Sequence, residues 1–177
     1  GLSILSTTNT WDSYLDPVNT MKVTSVKVAS DGSVWVGTLD QGFYVNKGQG
    51  FVKTMTDLYK KINVIEEDIT GNIWIGTENG IIRWDGSSYN YLSREDGLPD
   101  NRVTSIRQDS KNRLWIGTHG GKNVVWADNA GFHGLSLLNG KDSCIVNDIW
   151  EDRRGNIWFA TTDDGLVCYD GIVPRTF

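Results

Sequence analysis

The sequence predicts an all-β fold made of repeated four-stranded antiparallel sheets, and three observations lead to that reading. A tryptophan-centred phrase recurs four times, as SDGSVWVGT (Ser30 to Thr38), ITGNIWIGT (Ile69 to Thr77), SKNRLWIGT (Ser110 to Thr118) and RRGNIWFAT (Arg153 to Thr161). The tryptophans stand at 35, 74, 115 and 158, so the steps are 39, 41 and 43 residues, a period that marks a repeat architecture. Between the phrases lie short β-rich runs punctuated by glycine, with no 3.6-residue helical period. The run around each tryptophan is also apolar on both faces (Ile73, Trp74, Ile75; Leu114, Trp115, Ile116; Ile157, Trp158, Phe159), as expected of a strand covered from both sides.

Each repeat reads in order as four strands. The first carries Val23, Ile62, Val103 or Val146 twelve residues before the tryptophan, and Val26, Ile65, Ile106 or Ile149 nine before it. A tight turn follows, with Gly32, Gly71, Asn112 or Gly155 at the residue that must tolerate positive φ. Asp68, Asp109 and Asp152 stand six before the tryptophan, where the first copy has Ala29. The second strand holds the tryptophan and then Gly37, Gly76, Gly117 or Ala160, small residues that suit close backbone approach. A glycine turn (Gly42, Gly80, Gly121, Gly165) leads to a third strand at Phe43 to Val45, Ile81 to Trp84, Val124 to Trp126 and Leu166 to Tyr169. A fourth follows at Phe51 to Met55, Tyr89 to Leu92 and Phe132 to Leu137, and is indistinct in the last copy. Four antiparallel strands per unit of about 40 residues make the blade of a β-propeller. The chain is expected to be one domain, 1–177, with a half repeat at 1–22 and repeats at 23–61, 62–102, 103–144 and 145–177. Trp35, Trp74, Trp115 and Trp158 are the expected structural core. Burial of one such ring stabilises by about 4–6 kcal/mol, at ~25 cal/mol per Å².

Composition limits function more than it defines it. Net charge is −5, and the 17 Lys and Arg are scattered, so no basic stripe points to nucleic acid. No apolar run reaches the roughly 18–20 residues of a membrane span. No charged-then-apolar leader opens the chain, so a mature form or an excised fragment is expected. Cys144 and Cys168 are expected as free thiols, because strands two apart lie about 9–10 Å from each other; a disulfide closing the last repeat is the alternative.

With DGLPDNRVTSIRQDSKNRLWIGT (Asp96 to Thr118) in view, the chain resembles the two-component regulator propeller repeat across about residues 23–170. That resemblance implies a periplasmic or otherwise extracytoplasmic sensor module, often ahead of a histidine kinase, in bacteria that sense polysaccharide breakdown products. SDGSVW (Ser30 to Trp35) also resembles an Asp-box turn, which is structural. Four or five blades are expected, closed as a small ring with the N-terminal strand completing the last blade, or left as an open arc.

No triad, metal-ligand spacing or phosphate-cradling loop stands out, so no enzyme, metal or cofactor is expected. The turn after each WxGT phrase holds Asp40 and Gln41, Glu78 and Asn79, His119, and Asp163 and Asp164. These residues are either solvated turn residues or a polar ring at one end of the channel, able to bind a small polar ligand such as an oligosaccharide, or a cation through the carboxylates. Trp84, Trp126 and Tyr169, with Asn46 in the first copy, are outer packing or sugar-stacking residues. The Arg94 to Arg102 loop offers a partner contact. The leading expectation is a non-enzymatic binding module; the alternative is a protein-interaction or self-assembly module, such as a homodimer, using propeller faces or open edge strands.

Overall fold

The computed structural model describes residues 3–5, 11–13, 21–54, 61–121, 124–128, 131–138 and 143–177. Strands β1 (Ser3–Leu5) and β2 (Trp11–Ser13) form an antiparallel pair. The remainder of the sequence reading of Gly1 to Leu15, and the Met55 end of a fourth strand, lie outside the described residues. Four four-stranded antiparallel sheets follow in chain order. Blade 1 is β3 (Val23–Val28), β4 (Val34–Thr38), β5 (Phe43–Asn46) and β6 (Phe51–Lys53). Blade 2 is β7 (Ile62–Glu67), β8 (Ile73–Thr77), β9 (Gly80–Trp84) and β10 (Tyr89–Leu92). Blade 3 is β11 (Val103–Gln108), β12 (Leu114–Thr118), β13 (Val124–Asp128) and β14 (Gly131–Leu135). Blade 4 is β15 (Val146–Glu151), β16 (Ile157–Thr161), β17 (Leu166–Tyr169) and β18 (Pro174–Thr176).

The hairpin between the first two strands is set by one turn. Gly32, Gly71 and Gly155 take φ of 82°, 84° and 81°, and Asn112 takes 63°. Asparagine substitutes for glycine there because it tolerates the left-handed region. In Asp68, Asp109 and Asp152 the carboxylate accepts the turn's backbone N–H groups and then the indole N–H six residues on, at 2.8, 2.8 and 3.0 Å. Blade 1 has Ala29 instead, and reaches the same end differently. Trp35 Nε1 donates to Ser33 Oγ at 2.9 Å, and that hydroxyl donates to Asp31 Oδ1 at 2.5 Å.

Every first strand carries a bulge just after its opening residue, at 23/25, 62/64, 103/105 and 146/148. These strands are innermost: β3 lies against β7, β7 against β11 and β11 against β15. Among the described residues β15 makes no comparable contact with β3, so the blades form an open arc. The C-terminal segment supplies β18, so blade 4 is completed by its own chain and not by the N-terminal strand.

Three apolar clusters fill three seams. Trp35 packs with Ile62 and Ile65 of blade 2, Trp74 with Val103 and Ile106 of blade 3, and Trp115 with Val146 and Ile149 of blade 4. Each tryptophan is therefore a wedge against the blade that follows. Trp158 corrects the expectation of four core indoles: it is only partly buried, since no described blade follows it, and its ring meets Phe177 at 5.4 Å. Both cysteines are free thiols, Cys144 buried in the third seam and Cys168 beside Trp158.

Candidate functional site

The turns that follow the WxGT strands all lie on one face of the arc, because the strand order repeats in every blade. The threonine ending each strand organises its turn: Thr38 and Thr161 Oγ1 donate to the carbonyls of Gly42 and Gly165 and accept the N–H groups of Gln41 and Asp164. Thr77 does the same with Gly80 and Asn79. Backbone bonds tie these turns to the segments leading into first strands, as in Leu39 N–H to Lys22, His119 N–H to Arg102 and Thr162 N–H to Ile145. Asp40, Gln41, Asn79, His119 and Asp163 are exposed on this face, with Asp164 half-buried. They join second to third strands, so they sit one strand out from the innermost strands.

Glu78 is already engaged. It forms ion pairs with Lys61 Nζ at 2.9 Å and Arg102 Nε at 3.0 Å, the latter without hydrogen-bond geometry. Asn63 Nδ2 donates to its Oε1 at 3.0 Å. Partial burial pushes its carboxyl up, but the Lys61 and Asn63 bonds and the Arg102 charge outweigh that and hold it below the usual range. Glu78 thus clamps blade 2 to the segment leading into blade 3. Among the described residues no three His, Cys, Asp or Glu side chains converge to hold a metal ion.

The Arg94 to Arg102 loop is folded back on the protein. Ser93 and Asp96 cap a 3₁₀ turn reciprocally, Leu98 is buried in the second seam, and Asn101 O accepts Gly80 N–H at 2.6 Å. The Ser-x-x-Asp spacing is a sequence signal for such a cap that the reading of this loop as a partner contact passed over.

A concavity lies at the outer end of the seam between blades 1 and 2. It is a cleft of about 410 Å³ lined by Trp35, Val45, Lys47, Gln49, Trp84 and Tyr89, among others. Trp84 and Tyr89 stand 4.4 Å apart at 38°, and burial pushes the Tyr89 hydroxyl up to about 12. Aromatic walls with a few polar groups at the rim are the make-up of a small-ligand site. Trp126 differs, since His133 stacks on it at 4.1 Å and bonds Asp128 at 3.0 Å. Tyr169 packs edge-on against Trp115 at 5.9 Å. Of the third-strand aromatic residues, Trp84 lines this cleft, while Trp126 and Tyr169 are in ring contacts within their own seam.

Four bulged blades in register, with wedge indoles and Asp-anchored turns, define a repeat class. The sequence profile described as two component regulator propeller matches residues 58–79 and 97–120. Two of this chain's four repeats are thus two-component regulator propeller repeats. Histidine kinase P4 of Formosa agariphila is 26% identical to this propeller over 188 residues, covering 89% of this chain and 13% of the kinase. The extracellular domain of the hybrid two component system BT3049 of B. thetaiotaomicron matches with a TM-score of 0.79 at 26% identity, over 96% of this chain and 24% of that one. A catalytically inactive virginiamycin B lyase of Staphylococcus aureus shares the fold, with a TM-score of 0.73 at 15% identity over 92% of this propeller and 58% of the lyase. The propeller therefore corresponds to a fraction of the length of these relatives. Among the described residues no helix is long and apolar enough to cross a membrane.

Proposed function

We propose that this propeller is a non-enzymatic binding module of an extracytoplasmic sensor, taking an oligosaccharide or another small polar ligand. The observation that carries the reading is the likeness, over nearly the whole chain, to the extracellular domain of a hybrid two component system. A histidine kinase relative of much greater length agrees with it. Fold alone would not suffice, since a lyase shares it.

Two places on the molecule suit such a ligand. The Trp84–Tyr89 cleft offers ring faces for stacking, with Lys47 and Gln49 at its rim for hydroxyl groups. The turn face offers Asp40, Gln41, Asn79, His119, Asp163 and Asp164 as hydrogen-bonding groups, with Glu78 held by Lys61, Asn63 and Arg102. Calorimetry against a panel of neutral and acidic oligosaccharides tests the reading. Binding that disappears in Trp84→Ala assigns the cleft, and binding that disappears in an Asp40→Ala, Asp163→Ala double variant assigns the turn face. A panel without a single binder rejects the sensor-ligand reading.

A second reading, a protein-interaction or self-assembly module, is favoured by one observation. Blade 4 exposes Leu166 (41%) beside the partly buried Trp158, and Trp150 (56%) under the Arg107 guanidinium of blade 3 at 4.0 Å.

A further inference from the structure

Strand register decides which side chains fill the outer end of each seam. The third-strand residue opposite the wedge tryptophan shares its face and points to the following blade; Val45, Arg83 and Trp126 hold that place in blades 1, 2 and 3. The next third-strand residue points back to the preceding blade, and there blades 2, 3 and 4 have Trp84, Ala127 and Tyr169. In the seam between blades 1 and 2, Trp84 packs on the Trp35 cluster. In the seam between blades 3 and 4, Tyr169 packs on Trp115. Between blades 2 and 3 the corresponding ring is absent: Ala127 is on one wall and Arg83 is on the other.

A cleft of about 610 Å³ opens there, lined by Trp74, Arg83, Gln108, Lys111, Ala127 and Asp128, among others. That volume is within the ~300–1,000 Å³ of small-ligand sites. Its cations have spare donors. The Arg83 guanidinium carbon lies 5.3 Å from the Trp74 ring centroid, its Nε is buried without a hydrogen-bond partner, and it forms no ion pair among the described residues. Lys111, exposed at the rim, has no acidic partner among the described residues either. The acceptors around them are already engaged. Asp68 accepts five hydrogen bonds, from Thr70 N–H and Oγ1, Asn72 N–H and Nδ2, and Trp74 Nε1. Asp128 holds His133 at 3.0 Å, and Gln108 Oε1 accepts the Ile69 N–H at 2.7 Å.

The next seam holds a similar cation and neutralises it. Arg113 lies over Trp115 at 4.9 Å, and its Nε donates to Asp109 Oδ2 at 2.6 Å. Two residues before Trp74 stands Asn72 instead of an arginine, and its amide takes the Asp68 oxygen at 2.7 Å. A neutral donor therefore fills the acid, and the cation of this seam comes from the third strand with no acid to meet it. Leaving a partly desolvated charge unpaired is costly. A guanidinium resting on an indole keeps its in-plane N–H fork, which matches a carboxylate in two-point geometry.

We infer that the seam between blades 2 and 3 binds the carboxylate of an acidic sugar, with Arg83 as its anchor, Lys111 as a second cation at the rim and Ala127 leaving room for the sugar ring. The inference rests on the oligosaccharide reading above and adds to it the ligand's charge and the place that reads it. Calorimetry with trigalacturonate, its neutral counterpart galactotriose, and acetate tests it. Trigalacturonate is expected to bind more tightly than the other two. Arg83→Gln is expected to weaken it about tenfold or more, the loss of a charge-assisted hydrogen bond. Ala127→Tyr, which restores the ring of the other two seams and leaves Arg83 in place, is expected to abolish it. The two variants alter opposite walls, so if one melts early the other carries the test. Galactotriose or acetate binding as tightly as trigalacturonate overturns the inference, as does trigalacturonate that fails to bind or that binds both variants as it binds the parent. Trigalacturonate binding lost in Trp84→Ala and kept in Arg83→Gln overturns this inference alone and leaves the sensor-ligand reading standing.

Discussion

The Asp109 carboxylate accepts the indole N–H of Trp115 at 2.8 Å, and both side chains are buried. The same carboxylate takes the N–H groups of Lys111 and Arg113 and the Arg113 Nε at 2.6 Å. One acid therefore closes the turn, orients the wedge and neutralises an arginine that lies over that wedge at 4.9 Å. Removing it strands several partners at once. Asp109→Ala is expected to lower the free energy of unfolding by about 3 kcal/mol in urea titrations, in the range for orphaned buried charged and polar groups. Ser33→Ala, which leaves only Trp35 Nε1 without its acceptor, is expected to cost about 1–2 kcal/mol.

Acid should act through these same turns. Burial raises the carboxyls of Asp68 and Asp109, yet the bonds they accept, from Thr70, Asn72 and Trp74 in one and from Trp115 and Arg113 in the other, outweigh it and depress both. A depressed folded-state value means the carboxylate contributes its stability fully above the ordinary range near about 3.9 and loses it as pH falls through that range and below. Thermal melts should be flat between about pH 6 and 7 and fall below about pH 4. Asp109→Asn should show a shallower acid limb than the parent.

The seam glycines are expected to be intolerant of a single methyl. Gly117→Ala places a Cβ 2.8 Å from Val146 Cγ1 and should destabilise by about 1–3 kcal/mol, as overpacked cores do. Ala160→Gly removes a methyl from a face with no described neighbour, and should change stability by no more than about 1 kcal/mol. Chemical denaturation of the two variants checks the contrast.

Wedge tryptophans should differ by position. Trp115→Ala is expected to cost about 3–5 kcal/mol, the figure for a buried large aromatic. Trp158→Ala should cost less than half as much, because one side of its ring is open. A pair of equal losses would show that blade 4 is covered on its outward side in solution.

Much of this architecture was legible because it repeats. The Asp to Trp interval, the positive-φ turn residue and the glycine after the tryptophan each recur at fixed offsets, so one copy interprets the next. What escaped was whatever does not recur. The Ser33 relay uses a different offset from the other blades, and only geometry shows that Asp31 stands in for the aspartate replaced by Ala29. The partial exposure of Trp158 depends on whether a blade follows, which the local phrase does not encode. Glu78 read as a solvated or ligand-binding turn residue, because its partners Lys61 and Arg102 lie in segments leading into first strands and their approach depends on the arc. The Trp84–Tyr89 cleft was half visible: Trp84 was legible by register, whereas the walls from Lys47 and Gln49 come from the neighbouring blade.

Wiring from neighbour to neighbour along the arc has a mechanical consequence. Among the described residues each sheet is braced by those beside it in sequence, so the flanks of this stretch can fray while the middle holds. Local opening should begin at the outermost sheets and reach the junction of Trp74 with Val103 last, leaving the centre of the molecule as its most durable part.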